Sequence, residues 1–474
     1  MKSIVVNVMP EETRMAIVDG RELIGLELER PKHSHLVGNI YKGVVQNVLP
    51  GMQAAFVDIG KSKNAFLFVG DGTAEGKGGK RQKIHVGQSL PVQITKDEVG
   101  TKGPRATLHL TLPGRYVVLM PHSAYIGTSH RIASEEERSR LYDIAQKACP
   151  KGMGIILRTV AEGQPAEIIQ QDINYLVKLW ASIEAKFKVV HGENLLYRDA
   201  DLVIRIVRDI FNEEIGEMVI DNQQVYQQVA ALVQDITPEW VQRIHYYEGS
   251  NIFKEYGITD ELARLEERNV ELKSGGFLVI DKTEALTVID VNTGSFVGDI
   301  NLADTAYALN LEAAEEIMKQ LRLRDIGGMI IIDFIDMAKE SHKEGLLNKL
   351  RELAQTDRVK TNVLDITALG LVEITRKKSR HNLEHFLHET CPVCQGTGNV
   401  LSAETLGVKI CREIRRIEKR KHCSDGYHLQ MHSQAANELS LSRFFSGIEK
   451  ELGIRIMIEA SKEIKPGSFI LTQK

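Results

Sequence analysis

The chain has 474 residues, 43% hydrophobic and 26% charged, a globular composition with length for roughly three domains. Its 60 basic residues against 64 acidic ones leave a net charge of −4, which excludes a basic nucleic-acid coat as the role of the whole chain. Five cysteines, an odd and sparse set, argue against a disulfide scaffold and for a reducing compartment; with no signal-like N-terminus and no apolar run long enough for a bilayer, a soluble cytoplasmic protein without a membrane partner is expected.

Residues 2–30 read as short strands, with Asp19-Gly20 turning a hairpin between 15–18 and 23–28. Residues 37–111 have a different texture. Strand-like segments at 38–48, 53–59, 64–68 and 90–96, broken by Pro50-Gly51 and Gly60, predict a small closed barrel. Phe56 and Phe66, with Lys61, Lys63 and Lys102 nearby, could offer single-stranded nucleic acid a stacking and cationic surface. Periodicity alone favours the plainer alternative, that both rings fill the barrel core. Residues 70–83, rich in glycine and charge, read as a loop.

Ser134-Glu-Glu-Glu137 fits a capping box that opens a helix to Ala148. A strand at 154–159, a turn at 160–163 and a helix at 166–187 follow. Arg158 and Thr159 sit at the strand exit. A guanidinium beside a hydroxyl suits a terminal phosphate, although a lone Arg-Thr pair fits an ordinary salt bridge at least as well. Residues 196–269 are mixed, with a strand at 217–220 between helices.

The stretches Ala285-Leu-Thr-Val-Ile-Asp-Val-Asn-Thr-Gly294 and Met329-Ile-Ile-Ile-Asp-Phe-Ile-Asp336 are β-branched runs that end in acid. Between them, apolar residues at helical spacing predict a helix over 302–323, stopped by Gly327-Gly328. Strand, helix, strand is a crossover unit, which makes the two strands parallel and brings Asp290 and Asp333 to one carboxyl edge of one sheet. Asn292 shares the face of Asp290. Two acids and an amide at such an edge suit a hard cation such as Mg²⁺. Aspartates also end strands as turn formers and helix caps. Asp336 reads that way, capping a helix at 338–353, whereas the Asp290, Asn292 and Asp333 set favours the functional reading.

Cys391-Pro-Val-Cys-Gln-Gly-Thr-Gly398 has the shape of a zinc knuckle, and a redox reading is weaker because the pair does not open a helix behind a strand. Two thiolates are half a tetrahedral shell. Cys411, Cys423 or the His381, His385 and His388 cluster could complete it within one chain; a second copy of the chain could equally do so. Two basic clusters remain. Residues 411–422 carry six cations against Glu413 and Glu418, a net of +4, and Arg376-Lys-Lys-Ser-Arg380 is the other. A solvated helix face accounts for either, and a phosphate-facing surface is the alternative.

Further blocks stand in this order: Gly38-Asn-Ile-Tyr-Lys-Gly43, Leu49-Pro-Gly-Met-Gln-Ala-Ala-Phe-Val-Asp58, Leu157-Arg-Thr-Val-Ala-Glu-Gly163, Thr283-Glu-Ala-Leu-Thr-Val-Ile-Asp-Val-Asn-Thr-Gly294, Gln320-Leu-Arg-Leu-Arg324, Ile332-Asp-Phe-Ile-Asp-Met337 and Cys391-Pro-Val-Cys394. Together they resemble the RNase E/G family of bacterial endoribonucleases, to about Val400 and in its short, RNase G-like form.

The resemblance implies an α/β and β multidomain chain. It places an RNase H-like subdomain in two parts at 1–36 and 196–269, and an inserted OB-fold RNA-binding barrel at 37–111. A 5′-sensor follows at 112–195, a DNase I-like catalytic subdomain at 270–385, a zinc link at 386–400 and a small C-terminal domain at 401–474. Asp290 and Asp333 match the family's Mg²⁺-binding catalytic acids, and Asn292 the amide beside them. Phe56, Phe66 and Lys102 match its RNA contacts, Arg158 and Thr159 its 5′-monophosphate grip, and Cys391 and Cys394 the zinc ligands that two protomers share. The expected protein is a Mg²⁺-dependent endoribonuclease of rRNA processing and mRNA decay. It would cut single-stranded RNA such as rRNA precursors and mRNA, respond to a 5′-monophosphate, and assemble as a homodimer or higher homo-oligomer around Zn²⁺. The rivals are a non-catalytic RNA-binding protein with a vestigial metal site, and a metal-dependent phosphatase or DNase on the same sheet.

Overall fold

The N-terminal hairpin forms as its turn residues dictate: Thr13–Asp19 and Glu22–Glu29 run antiparallel, with Gly20 at φ +63°. In the computed structural model, which describes residues 1–31, 36–68, 84–98, 102–295, 302–378, 382–419 and 426–473, the chain divides into two units, Met1–Phe386 and Leu387–Lys474. The glycine-rich 70–83 loop, Arg380, His381 and Cys423 lie outside the described residues, as does the side chain of His385.

Among the described residues the first unit holds four sheets. The hairpin joins Lys2–Val8, Ile215–Ile220 and Ile244–Tyr246 in a five-stranded sheet, so one sheet draws on two distant stretches of chain. Ile4, Val6, Met15 and Ile17 bury one face of it against Leu202–Asp209 and Gln223–Ile236, the two helices expected around the 215–220 strand. Between these stretches lies the barrel. Ile40–Leu49, Ala54–Asp58, Ala65–Phe68, Arg105–Thr107 and Ser89–Lys96 form a closed ring of five strands, because Ile40–Leu49 pairs with Ser89–Lys96. Gly43 faces into it, where a Cβ would collide with Val57. This closed five-stranded barrel is OB-like.

A third sheet, of Ile126–Thr128, Gly154–Leu157, Val117–Met120 and Leu112–Pro113, packs on the helices Glu135–Ala148 and Ala166–Val189. Ser134 caps the first of these, accepting from the Glu137 amide at 3.2 Å. The capping box is only half formed, because Glu137 turns its carboxylate to Arg140 (2.6 and 2.7 Å) and to the Gly163 amide (2.8 Å). Those contacts, Arg140 foremost, hold its pKa down to about 2.

The fourth sheet runs Asn269–Glu271, Phe277–Lys282, Leu286–Asn292, Gly328–Asp333, Val372–Arg376, Thr361–Ile366. Leu286–Asn292 and Gly328–Asp333 are parallel and adjacent, joined by the helix Leu302–Leu323, as the crossover argument requires. Their other neighbours are antiparallel. Ile289, Ile330 and Ile332 bury into a core with Leu309, Ala313, Ile317 and Leu321 of that helix and Leu346 and Leu350 of Glu340–Thr356. The second helix starts two residues later than expected, and Lys339, not Asp336, holds its N-cap position.

Arg376 corrects another expectation. Its side chain is only 3% exposed, bound to Asp357 (2.8 Å, 2% exposed), Asp325 (2.9 Å) and the Ile326 carbonyl (3.0 Å). It is therefore a structural cation, not part of a phosphate-facing surface. Burial opposes ionisation of Asp357, but Arg376 and the Val359 amide outweigh it and the pKa falls. The resulting stabilisation is present at neutral pH and lost as the pH drops through that lowered pKa. Arg376→Met leaves two carboxylates without their cation, and chemical denaturation should show this unit weaker by about 3–5 kcal/mol.

Among the described residues the second unit has one three-stranded sheet, ordered Ile456–Ser461, Tyr427–His432, Phe469–Gln473. The helix Ala403–Glu418, capped by Ser402, covers it through Leu406, Ile410 and Ile414. Cys411 lies half-buried on that helix, its thiol pKa raised by burial, which fits a packing role.

Candidate active site

Asp290 and Asp333 are register partners on adjacent parallel strands, which sets their backbones about 4.8 Å apart. Both are exposed, on the sheet face opposite the buried Ile289 and Ile332. Asn292 donates from Nδ2 to Asp290 Oδ2 at 3.0 Å, so the amide holds Asp290. Among the described residues no lysine or arginine pairs with either acid. Two carboxylates side by side without a counter-cation repel each other, and an all-oxygen donor set of this kind fits a hard divalent cation.

The helix that follows the Asp290 strand is tied to the segment that follows the Asp333 strand. Asp304, in the first turn of Leu302–Leu323, accepts from Lys339 at 2.7 Å and faces His342 Nε2 at 3.6 Å. The His342 ring stacks on Tyr307, with centroids 4.3 Å apart and planes at 17°. The cluster at 376–378 lies at the other end, since Arg376 pairs in register with Gly328 at the start of the strand that Asp333 ends.

On the barrel, Phe56 and Phe66 are directly opposite each other across two strands, edge to face at 5.9 Å and 74°. Neither belongs to the barrel core, which is built from Tyr41, Val45, Ala55, Val57, Ala65 and Leu67. Both rings stay partly exposed. Their neighbours on each strand take the inner face, so the period-2 alternation sends the rings outward. Lys102 is exposed, and Arg105, also exposed, is the register partner of Phe66.

Arg158 and Thr159 line a cavity of about 880 Å³ with Ser129, Arg131, Asp209 and Arg358. The Thr159 hydroxyl meets the Ser129 hydroxyl at 3.0 Å. Arg158 donates to the Gly114 carbonyl and pairs with Asp209, each at 2.7 Å. Burial pushes Asp209 towards its neutral form, yet Arg208 and Arg158 outweigh this and lower its pKa. The salt bridge weighed against a phosphate grip is thus present, on a residue that also lines a cavity.

Cys391 and Cys394 sit on a knuckle in the second unit. The Gln395 amide donates to the Cys391 carbonyl (2.8 Å) and the Thr397 amide to that of Cys394 (3.0 Å). Among the described residues, no group of three His, Cys, Asp or Glu gathers as a metal site.

The Ribonuclease E/G family profile matches residues 111–379. Ribonuclease G of Escherichia coli K12 is 41% identical over 98% of this chain and 96% of its own length. The chain belongs to the ribonuclease E/G family. Ribonuclease G of Haemophilus influenzae is 41% identical over 87% of each chain. Ribonuclease E of E. coli is 37% identical over 87% of this chain but only 40% of its own length. With ribonuclease G the similarity runs past Val400, where the recognisable motifs end, into the C-terminal unit.

Several residues around these ribonuclease E/G motifs carry no signal in sequence. Asp209, Arg105 and His342 gain their places from partners 51, 39 and 38 residues away, in Arg158, Phe66 and Asp304. Only strand register and packing bring them in.

Proposed function

We propose that this chain is a Mg²⁺-dependent endoribonuclease that cuts single-stranded RNA, including rRNA precursors and mRNA, to leave 5′-phosphate and 3′-hydroxyl ends. The observation that carries this is the Asp290–Asp333 pair, which no lysine or arginine among the described residues neutralises, in a chain of the ribonuclease E/G family. Asp290 and Asp333 would hold the ion, and Asn292 fixes the orientation of Asp290. The chemistry such an ion supplies is activation of water for in-line attack and neutralisation of charge on the phosphate. The Phe56–Phe66 edge offers faces for unstacked bases, with Arg105 beside it and the exposed Lys102, three residues earlier in the chain, for phosphates. In the same reading the fourth sheet is a DNase I-like catalytic subdomain, the split sheet RNase H-like, the barrel an OB-fold and the third sheet a 5′-sensor. The setting is cytoplasmic; among the described residues no helix is long and apolar enough to cross a membrane. Cleavage of single-stranded RNA with Mg²⁺, lost in EDTA and resistant to competing DNA, is the expected result. Binding without cleavage would favour the non-catalytic rival.

The cavity at Arg158 supports recognition of a 5′-monophosphate. A compact dianion can take the guanidinium in place of Asp209 and the Thr159 hydroxyl besides. RNA with a 5′-monophosphate should be cut faster than RNA with a 5′-triphosphate. In Arg158→Ala that ratio should fall towards one; an unchanged ratio in matched time courses would return Arg158 to a purely structural role.

The knuckle supports a structural Zn²⁺ shared by two chains, two thiolates from each, and hence a homodimer as the smallest assembly.

A further inference from the structure

The net +4 segment that opens at Cys411 has no part in the chemistry above. Its helix, Ala403–Glu418, buries Leu406, Ile410 and Ile414. Lys409, Arg412 and Arg416, at i, i+3 and i+7, fall together on the flank of that buried face. With Glu413 and Ile417 of the same helix they form one wall of a groove of about 550 Å³ whose other wall is Phe469 and Leu471 of the edge strand Phe469–Gln473. Both apolar residues pack on the core of the unit and remain partly exposed. Arg416 shares its charge with Glu413. Lys409 and Arg412 are exposed and have no acidic partner among the described residues.

We propose that this groove is a second RNA-binding site, one that takes a single-stranded segment outside the scissile region. It rests on the RNA-cleaving reading for its ligand class. Two unpartnered cations at helical spacing match successive phosphates, and a half-exposed aromatic ring offers a face to a base. A duplex hides its bases, so the apolar wall has value only for an unpaired strand. A second copy of the chain is a poorer occupant, because a two-fold contact would set this cationic wall against itself.

The test uses the full-length protein and the double variant Lys409→Gln, Arg412→Gln. Arg415→Gln is the control: it removes charge from the same helix, but at a residue already paired with Glu451 and not lining the groove. Anisotropy without added divalent metal measures affinity for single strands of about 10 and about 30 nucleotides. For the longer strand, affinity of the double variant should fall roughly tenfold and its salt slope by about 1.4, at about 0.7 per lost phosphate contact. Affinity for the short strand, and its cleavage with Mg²⁺, should stay at wild-type levels, and Arg415→Gln should change neither. The proposal is overturned if the double variant binds the long strand like wild type or like the control, or if both strands weaken equally. A change in sedimentation with unchanged RNA affinity would overturn it too, and make the face a chain–chain contact. The catalytic reading fails separately: a wild-type protein that shows the length-dependent affinity but cuts no RNA keeps the groove and loses the nuclease.

Discussion

Asp290→Asn and Asp333→Asn should each slow RNA cleavage by at least about a hundredfold, the scale of removing one electrostatic element from an active site. Each keeps the size of the side chain and removes the charge that would hold the proposed metal. RNA affinity should stay near wild type, because the rings and cations of the barrel lie on another sheet. The two acids are register partners, and among the described residues no lysine or arginine pairs with either, so neutralising one relieves a like-charge contact of about 0.2–1 kcal/mol. The variants should therefore melt at or above the wild-type temperature. Lost activity with unchanged or raised stability is the signature of a functional acid; an aspartate kept as a cap or turn former gives the reverse. Single-turnover cleavage, anisotropy and thermal melting on the same preparations separate the two. Near wild-type cleavage in either variant would falsify the assignment.

That acid pair was legible because its information is local. A β-branched run, a helix-length amphipathic segment and a second run admit few topologies, and the parallel pairing Asp290 with Asp333 follows from them. The barrel was legible for a similar reason, strand and turn signals at close spacing. What resisted reading was direction and partnership. Periodicity favours Phe56 in the barrel core, the wrong face of Ala54–Asp58; closure with Ser89–Lys96 puts Ala55 and Val57 inside and Phe56 outside. Arg376 looks like one member of an exposed basic run, yet its carboxylates come from positions 325 and 357. Glu137 sits at the capping-box position, but Arg140 and the Gly163 amide outcompete the reciprocal bond. The last two misreadings involve a polar side chain whose partner is set by tertiary contact, which local pattern cannot encode.

The double variant Cys391→Ser, Cys394→Ser should lose its zinc and its dimer together. The knuckle is already shaped by this chain alone. Gln395, Gly396 and Gly398 take positive φ values of 54°, 88° and 72°, which wraps the backbone so that amides point back at the cysteine carbonyls. The amides of Cys394 and Val393 and the Cys394 thiol also lower the pKa of the Cys391 thiol, favouring the thiolate that a metal binds. Structural Zn²⁺ is almost always four-coordinate, and this knuckle supplies two sulfurs. A two-fold contact repeats the same pair and closes an S₄ shell without calling on any other residue. Native mass spectrometry of the wild type should then find one zinc per two chains. A strong chelator should give monomers, since removing the ion leaves four thiols with no common partner. Serine keeps the size and the turn but is a poor zinc ligand, so loss of the dimer in the variant would come from the metal and not from a misfolded knuckle. A monomer that retains one zinc per chain would point instead to ligands from Cys423 or the histidines at 381, 385 and 388. A serine variant that dimerises like wild type would remove the metal from the interface altogether.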